Sequence, residues 1–190
     1  MTGITISRAQ HEFARGFCAN LPVDIVFGDY RGDLPRSMGA FDKIVLIGMF
    51  EHVGGKNHRR CLAIAQELLK NDGLFLLQVI GGPTSCGFGA WMDRYIFPNG
   101  ELPSLPDLVG SFRDLYVMED WHNFGADYDR TLMAWHENIS SDLFKDQRLF
   151  RRWRYFLLTC AGLFRVRNRT QLWQIVLSKG GVPGGYRSVR

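Results

Sequence analysis

At 190 residues, with 46% hydrophobic and 22% charged side chains, the chain has the composition of one globular domain with a sizeable core. Its four cysteines (Cys18, Cys61, Cys86 and Cys160) stand far apart with no Cys-x-x-Cys pair, which argues against a disulfide framework or a zinc site and fits a reducing cytoplasm. No signal peptide opens it, no apolar run approaches the roughly 20 residues that span a bilayer, and the net charge of +4 is unevenly spread.

In chain order, Ile4-Thr5-Ile6 reads as the end of a strand, and Ser7 can cap a helix over 8–18. Residues 23–27 form a second apolar strand that leaves the sheet through Gly28-Asp29-Tyr30, and 32–40 is a loop. The stretch 41–54, FDKIVLIGMFEHVG, holds four consecutive Leu or β-branched residues, Ile44 to Ile47. Such a run reads as a strand buried on both faces, as in parallel sheets. It ends by delivering Glu51 and His52 just past the carboxyl end of the strand, where open α/β sheets place their ligands. The spacing alone leaves this pair open between a site carboxylate and solvated loop or helix-start residues.

Helical spacing follows over 58–70 (Cys61, Ile64, Ala65, Leu68, Leu69), with Asn71-Asp72-Gly73 as its stop. A buried strand over 74–80 is then broken by Gly81-Gly82-Pro83. Alternating strands and helices predict an α/β domain, a parallel sheet with helices on both faces. Residues 84–106 lapse into aromatic and turn residues, including Trp91, Tyr95 and Phe97, and read as a lid or pocket-forming insertion. Residues 116–118 and 131–135 are strand or helix pieces on either side of a WHNFGADYD loop. A helix over 144–169 carries Phe150, Trp153, Leu157, Cys160, Ala161 and Phe164 on one side, with Arg148, Arg151, Arg152 and Arg154 crowding the rest. Residues 172–177 are a last strand, and 180–190 a flexible tail.

From residue 145 onward there are eleven Lys or Arg against the single acid Asp146, a local charge of +10 that leaves −6 on the first 144 residues. A basic quarter on an acidic body suits an anionic partner, phospholipid headgroups or nucleic acid, and also suits a solvated basic face. No recognised nucleic-acid motif accompanies it.

The blocks MFEHVG (49–54), YIFPNG (95–100), Leu102-Pro103-Ser104, MEDWHNFGADYD (118–129), TLMAW (131–135) and Gln171-Leu172-Trp173-Gln174 occur in this order along nearly the whole chain. Together they resemble the cyclopropane-fatty-acyl-phospholipid synthase family, which includes the mycolic acid cyclopropane synthases. The resemblance implies a Rossmann-like class I S-adenosylmethionine-dependent methyltransferase fold over 1–179, with a lipid-pocket insertion around 84–130 and an antiparallel edge strand at 172–177. In that family a glycine-rich cofactor turn lies upstream of the block resembling Thr5-Ile6-Ser7. The 190 residues are therefore expected to lack the first strand and that turn.

The reaction implied is S-adenosylmethionine-dependent methylene transfer to a cis double bond of a phospholipid acyl chain. The alkene attacks the sulfonium methyl, and a base removes a proton from the new methyl so that a ring closes. By resemblance, Thr5, Ile6 and Gln10 line the S-adenosylmethionine site, Gly28, Asp29 and Tyr30 lie near the adenosine, and Ile47 sits at the strand end. Taken without the family, Thr5 is a cap, Ile47 core and Asp29 a turn former. The proton acceptor is implied to be a bicarbonate ion held by Glu51, a histidine, the backbone near Ile80, and Tyr128. Here Gln78 stands where the family has that histidine, and Gln78 can donate a hydrogen bond but cannot take up a proton. His122 and Cys160 read as structural, and no metal site is expected. The resemblance further implies membrane phospholipids with unsaturated acyl chains as partners, at the inner face of the cytoplasmic membrane. It favours lipid over nucleic acid for the basic quarter, with self-association into a homodimer allowed. A catalytically inactive fragment or partner subunit, and a related lipid or small-molecule methyltransferase, are the competing readings.

Overall fold

The computed structural model describes residues 1–166 and 168–188. Strand β1 (Thr2–Thr5), helix α1 (Arg8–Phe17) and strand β2 (Asp24–Phe27) open the chain, and β1 and β2 pair in parallel. Ser7 caps α1 by accepting from the Gln10 amide. After a helical turn, α2 (Leu34–Ser37), come β3 (Phe41–Ile47), α3 (His58–Leu68) and the long β4 (Leu69–Gly81). A small excursion follows, of β5 (Cys86–Gly87), α4 (Ala90–Tyr95), β6 (Glu101–Leu102) and α5 (Leu105–Phe112). The chain then runs through β7 (Val117–Asn123), α6 (Gly125–Asn138), α7 (Gln147–Arg165) and β8 (Gln171–Ser178).

The main sheet has the order β3-β4-β8-β7; β3 and β4 are parallel, and β8 is antiparallel to both of its neighbours. Alternation sorts its side chains between two faces. Phe75, Leu77 and Val79 of β4, with Trp173, Ile175 and Leu177 of β8, point to one face and are buried there against Cys61 and Leu62 of α3 and Leu108 and Phe112 of α5. A second cluster packs α6 (Leu132) on α7 (Phe156, Leu157, Ala161, Phe164) and on Leu172. Where the two meet, the backbone approach is tight. A Cβ at Gly81 would stand 2.3 Å from the Trp173 ring and 2.6 Å from the Pro103 carbonyl oxygen, so only glycine fits.

The sheet is mixed, with the antiparallel strand at 172–177 that the resemblance implied. Three expectations change. The antiparallel strand at 172–177 lies inside the sheet between β4 and β7, not at its edge. The sequence gives the reason: β8 is apolar on both faces, whereas β7 carries Glu119, Asp120, His122 and Asn123, which suit an edge. Asn71-Asp72-Gly73 does not separate helix from strand; α3 ends at Leu68 and these residues lie within β4, where a register shift opposite Phe41 and Lys43 takes them up. The segment WHNFGADYD is not a loop: its first three residues end β7, and from Gly125 it is the start of α6. The Asn123 carboxamide oxygen accepts from the Gly125 amide at 2.9 Å and makes the corner.

The basic helix runs Gln147–Arg165, shorter than expected, with Asp146 capping it through the Arg148 amide; Arg167 of the expected span lies outside the described residues. The start of the tail is tied down. Ser178 accepts from the Gly181 amide and Glu119 from the Val182 amide, while Val189 and Arg190 lie outside the described residues.

Candidate active site

Past the carboxyl end of β3 the chain tightens into a 3-10 turn, Phe50–His52, that turns Glu51 inward. Glu51 is 3% exposed, and its Oε1 accepts from the Ile80 amide at 2.7 Å. Its Oε2 is buried with no hydrogen-bond partner. Desolvation raises the Glu51 carboxyl above its ordinary range, and the Ile80 amide offsets only part of this. Tyr128, in the first turn of α6, is close enough for the Glu51 charge to add to the burial that raises its phenol. Its ring meets Phe164 edge-on at 4.9 Å and Trp135 at 5.9 Å. A buried carboxylate with one satisfied and one unsatisfied oxygen, beside a phenol and an apolar wall, is built to hold a small hydrogen-bonding group. His52 diverges from Glu51, with its ring 5.4 Å from that of Phe97, and burial lowers its pKa.

Gln78, on β4, is opposite Gln174 across the β4–β8 ladder, and its Oε1 accepts from the Gln174 amide at 2.6 Å. Gln174 was absent from the sequence-level candidates; only the β8 register reveals it. Ile80 contributes its amide to Glu51 and its side chain to the α6–α7 cluster.

The residues implied for a cofactor gather at the carboxyl ends of the three parallel strands. At β1, the Thr5 hydroxyl donates to Gln10 Oε1 at 2.8 Å and accepts from the Ser7 amide, while the Ile6 side chain is exposed. At β2, the Gly28 amide donates to the Thr5 carbonyl. Asp29 is clamped by Arg31 at 2.5 Å, and this hydrogen bond holds its carboxyl below the usual range. Tyr30 packs against the core, and burial pushes its phenol up to about 12. Ile47, at the end of β3, is exposed. Glu51, Ile80 and Tyr128 are thus one connected group and Thr5, Gln10 and Gly28 another. A cleft of about 720 Å³ between α1 and β2 is lined by Arg15, Cys18, Ile25 and Met38 and holds none of these residues.

Compared with known proteins, the sequence matches the family described as mycolic acid cyclopropane synthetase over residues 1–175. The chain belongs to that family. It is 46% identical over its whole length to the cyclopropane-fatty-acyl-phospholipid synthase of Escherichia coli K12, covering 50% of that protein. It is 35% identical to a probable fatty acid methyltransferase of Pseudomonas putida, over 85% of this chain and 45% of the relative. With the sphingolipid C9-methyltransferase of Komagataella phaffii the figures are 31%, 94% and 41%. The chain therefore spans about half the length of the relatives it matches. Among solved structures, the mycolic acid cyclopropane synthase CmaA1 complexed with SAH and CTAB superimposes with a TM-score of 0.80 at 22% identity, over 94% of this chain and 69% of that one. The cyclopropane synthase MmaA2 from Mycobacterium tuberculosis gives 0.78 at 25% identity, with the same coverage. The fold is that of the S-adenosylmethionine-dependent methyltransferases, here its C-terminal portion.

Within the mycolic acid cyclopropane synthetase family match lie two residues read as structural. His122 lies against Phe124, with ring centroids 3.8 Å apart and the rings tilted by 41°. Cys160 packs in the α6–α7 cluster, and burial pushes its thiol up to about 11, which suits an inert side chain. Sequence reasoning overlooked His58, which is buried, stacked on Phe50 at 4.0 Å, and left with an unpartnered Nε2. Its only signal was a histidine opening a helix with amphipathic spacing. All four cysteines are free. Among the described residues, no group of side chains could hold a metal ion and no helix is long and apolar enough to cross a membrane.

Proposed function

We propose that these residues form the acceptor half of an S-adenosylmethionine-dependent lipid methyltransferase that builds cyclopropane rings on cis-unsaturated phospholipid acyl chains. The observation that carries the reading is the buried Glu51 carboxylate, fixed by the Ile80 amide, with Oε2 unpartnered beside Tyr128. The residues fit a bicarbonate ion: its O–H would donate to Glu51 Oε2, and Tyr128 would donate to its oxygens. Gln78 uses its carbonyl on Gln174 and keeps its amide hydrogens for donation. The exposed ends of β1, β2 and β3 fit S-adenosylmethionine in part, since the Asp29 carboxylate is shared with Arg31. When bound, these two groups supply the electrophilic methyl and the proton acceptor.

The chain's own residues do the rest. Glu51 orients the acceptor and tolerates burial because Ile80 supplies a donor. Tyr128 presents its ring to developing positive charge on the acyl chain. Trp91, Phe97, Phe156 and Phe164 wall off water in the excursion and the α6–α7 cluster, the proposed lipid pocket. The Arg148, Arg151, Arg152 and Arg154 side of α7 would meet anionic headgroups at the inner membrane face. A homodimer is compatible with this use. A catalytically inactive partner subunit is the second reading, and Gln78 in place of the implied histidine favours it.

The test is a chimera in which this chain replaces the half of the E. coli synthase that it matches, assayed on vesicles with cis-unsaturated phospholipid. Ring-specific proton signals are expected, and Glu51→Gln or Tyr128→Phe should remove them. A methyl branch with a retained double bond would make the chain a different lipid methyltransferase, and no product from a folded chimera would support the inactive subunit.

A further inference from the structure

Just past the turn that carries Glu51, the chain lines a cleft of about 580 Å³ that the proposed chemistry does not use. Its wall includes Lys56, His58, Arg59, Ser85, Glu101 and Asp107. His58, the first residue of α3, is the most buried of these at 3% exposed. Its ring lies on that of Phe50 at 4.0 Å, and its Nε2 has no hydrogen-bond partner. Burial lowers the His58 pKa, so the ring is neutral at pH 7. The Phe50 backbone pulls the other way, as a carbonyl beside a ring N–H does. With Nε2 unpartnered, that N–H belongs to Nδ1, and Nε2 presents a lone pair. Glu101 and Asp107 both act on this ring electrostatically, which puts their carboxylates within reach of it.

Each carboxylate is held by one oxygen only. Glu101, on β6, accepts from the Gly55 amide through Oε2 at 2.9 Å. Asp107, in the first turn of α5, accepts through Oδ2 from the Ser104 hydroxyl at 2.6 Å and from the Ser85 hydroxyl. These bonds hold the Asp107 carboxyl below its usual range, so it is charged at pH 7. Ser104 caps α5 by accepting from the Asp107 amide, which accounts for Oδ2 but not for Oδ1. Glu101 Oε1 and Asp107 Oδ1 bond to no described residue. Glu101, Asp107 and His58 thus each keep one bare acceptor in the same cleft. Among the described residues no such group suits a metal ion. Hydrogen bonds of about 2.8–3.0 Å reach further than metal–oxygen bonds of about 2.0–2.6 Å. A primary ammonium brings three N–H donors and a positive charge to such a set. Two bases share the cleft: Lys56 has no ion-pair partner among the described residues, and Arg59 spends one N–H on the Arg113 carbonyl.

We propose that this cleft binds the phosphoethanolamine group, its ammonium on Glu101 Oε1, Asp107 Oδ1 and His58 Nε2 and its phosphate facing Lys56 and Arg59. Two carboxylates and two bases match a zwitterion in charge, and a neutral imidazole lone pair adds the demand for an N–H. A trimethylammonium has no N–H to give and leaves Nε2 without a partner. The group exists as a free compound and as a phospholipid headgroup. Binding does not depend on which reaction Glu51 and Tyr128 serve; only the headgroup source rests on the proposed function.

The test titrates phosphoethanolamine, phosphocholine and inorganic phosphate into the chain, alone and within the E. coli chimera, by calorimetry with the His58 ring followed by NMR. Phosphoethanolamine should saturate one site and move the His58 signal. Phosphocholine and inorganic phosphate should each bind roughly tenfold more weakly or worse. Glu101→Gln, which keeps an acceptor for Gly55 and removes the charge, should weaken phosphoethanolamine by roughly tenfold at an unchanged melting temperature. The three ligands are compared on the unaltered protein, so the test stands even where a variant fails to fold. Vesicle pelleting then assigns the source. If Glu101→Gln loses binding to phosphatidylethanolamine but not to phosphatidylcholine vesicles, the site takes the headgroup. If it binds both as before while losing free phosphoethanolamine, the site takes the free compound. No saturable binding of phosphoethanolamine overturns the proposal, as does equal binding of phosphocholine or of inorganic phosphate. Ring formation by the chimera is read separately, so that failure would leave the proposed reaction standing.

Discussion

Strands β1 and β4 belong to the same chain and both stand in parallel ladders, yet only β4 is packed inside the protein. Every second residue of β4 from Phe75 to Val79 is fully buried between sheet partners on both edges and helices on one face. The β1–α1–β2 unit, in contrast, has a single ladder and buries no side chain of α1. Sequence pattern sets the propensity to form a strand, but a second edge and a covered face are what convert apolar residues into stability. The catalytic candidates stand on the first kind of structure, and Thr5, Ile6, Gln10 and Gly28 of the cofactor candidates stand on the second or at its edge.

The largest expected effects lie in the packed sheet. Phe75→Ala should cost about 3–5 kcal/mol in urea unfolding, and Phe17→Ala should stay within about 0.5 kcal/mol. Equal costs would show that the two regions are equally ordered. Gly81→Ala, which must displace the Trp173 ring or the Pro103 carbonyl, should destabilise on the order of 2–4 kcal/mol. Native-state hydrogen exchange sharpens the contrast without mutation: β4 and β8 amides should exchange only by global opening, and β1 and β2 amides by cheap local opening.

Glu51→Gln has a smaller effect with a definite sign. Burial raises the Glu51 pKa in the folded chain, so the native state holds that proton more tightly than the unfolded state does. This favours folding below the unfolded value of 4.5 and is lost as pH rises through the folded one. The glutamine keeps the acceptor for Ile80 without the charge, so at pH 7 the variant should be more stable by roughly 1 kcal/mol, a rise of about 2–4 °C. The gain should vanish near pH 4, and a variant less stable at pH 7 would mean the carboxylate is not desolvated as described. Last comes Gln78→His, which can still accept from Gln174 and adds a titratable nitrogen. In the E. coli chimera it should raise turnover roughly tenfold, and no rise would detach residue 78 from the proton step.

Much of this was legible in the sequence, for physical reasons. The run Ile44 to Ile47 and the glycine after it announced a strand end with Glu51 beyond it, because period and turn chemistry are local. Strand β7 was legible only at its start, residues 117–118, and there not apart from helix: the polar residues that follow satisfy an edge only once β8 lies beside them. The Gln78–Gln174 bond joins residues 96 positions apart and follows from an antiparallel register that no local pattern encodes. The exposure of Val45 was equally hidden, since Ile44 to Ile47 reads as a strand buried on both faces and only the structure shows one of them open.

The most direct measurement is calorimetric titration of S-adenosylmethionine into this chain, alone and within the chimera with the unmatched half of the E. coli synthase. The account predicts no measurable heat of binding for the chain alone, because Ile6 and Ile47 stand exposed at the strand ends, and saturable binding for the chimera. Tight one-to-one binding by the chain alone would contradict it, showing that the ends of β1, β2 and β3 already make a complete cofactor site.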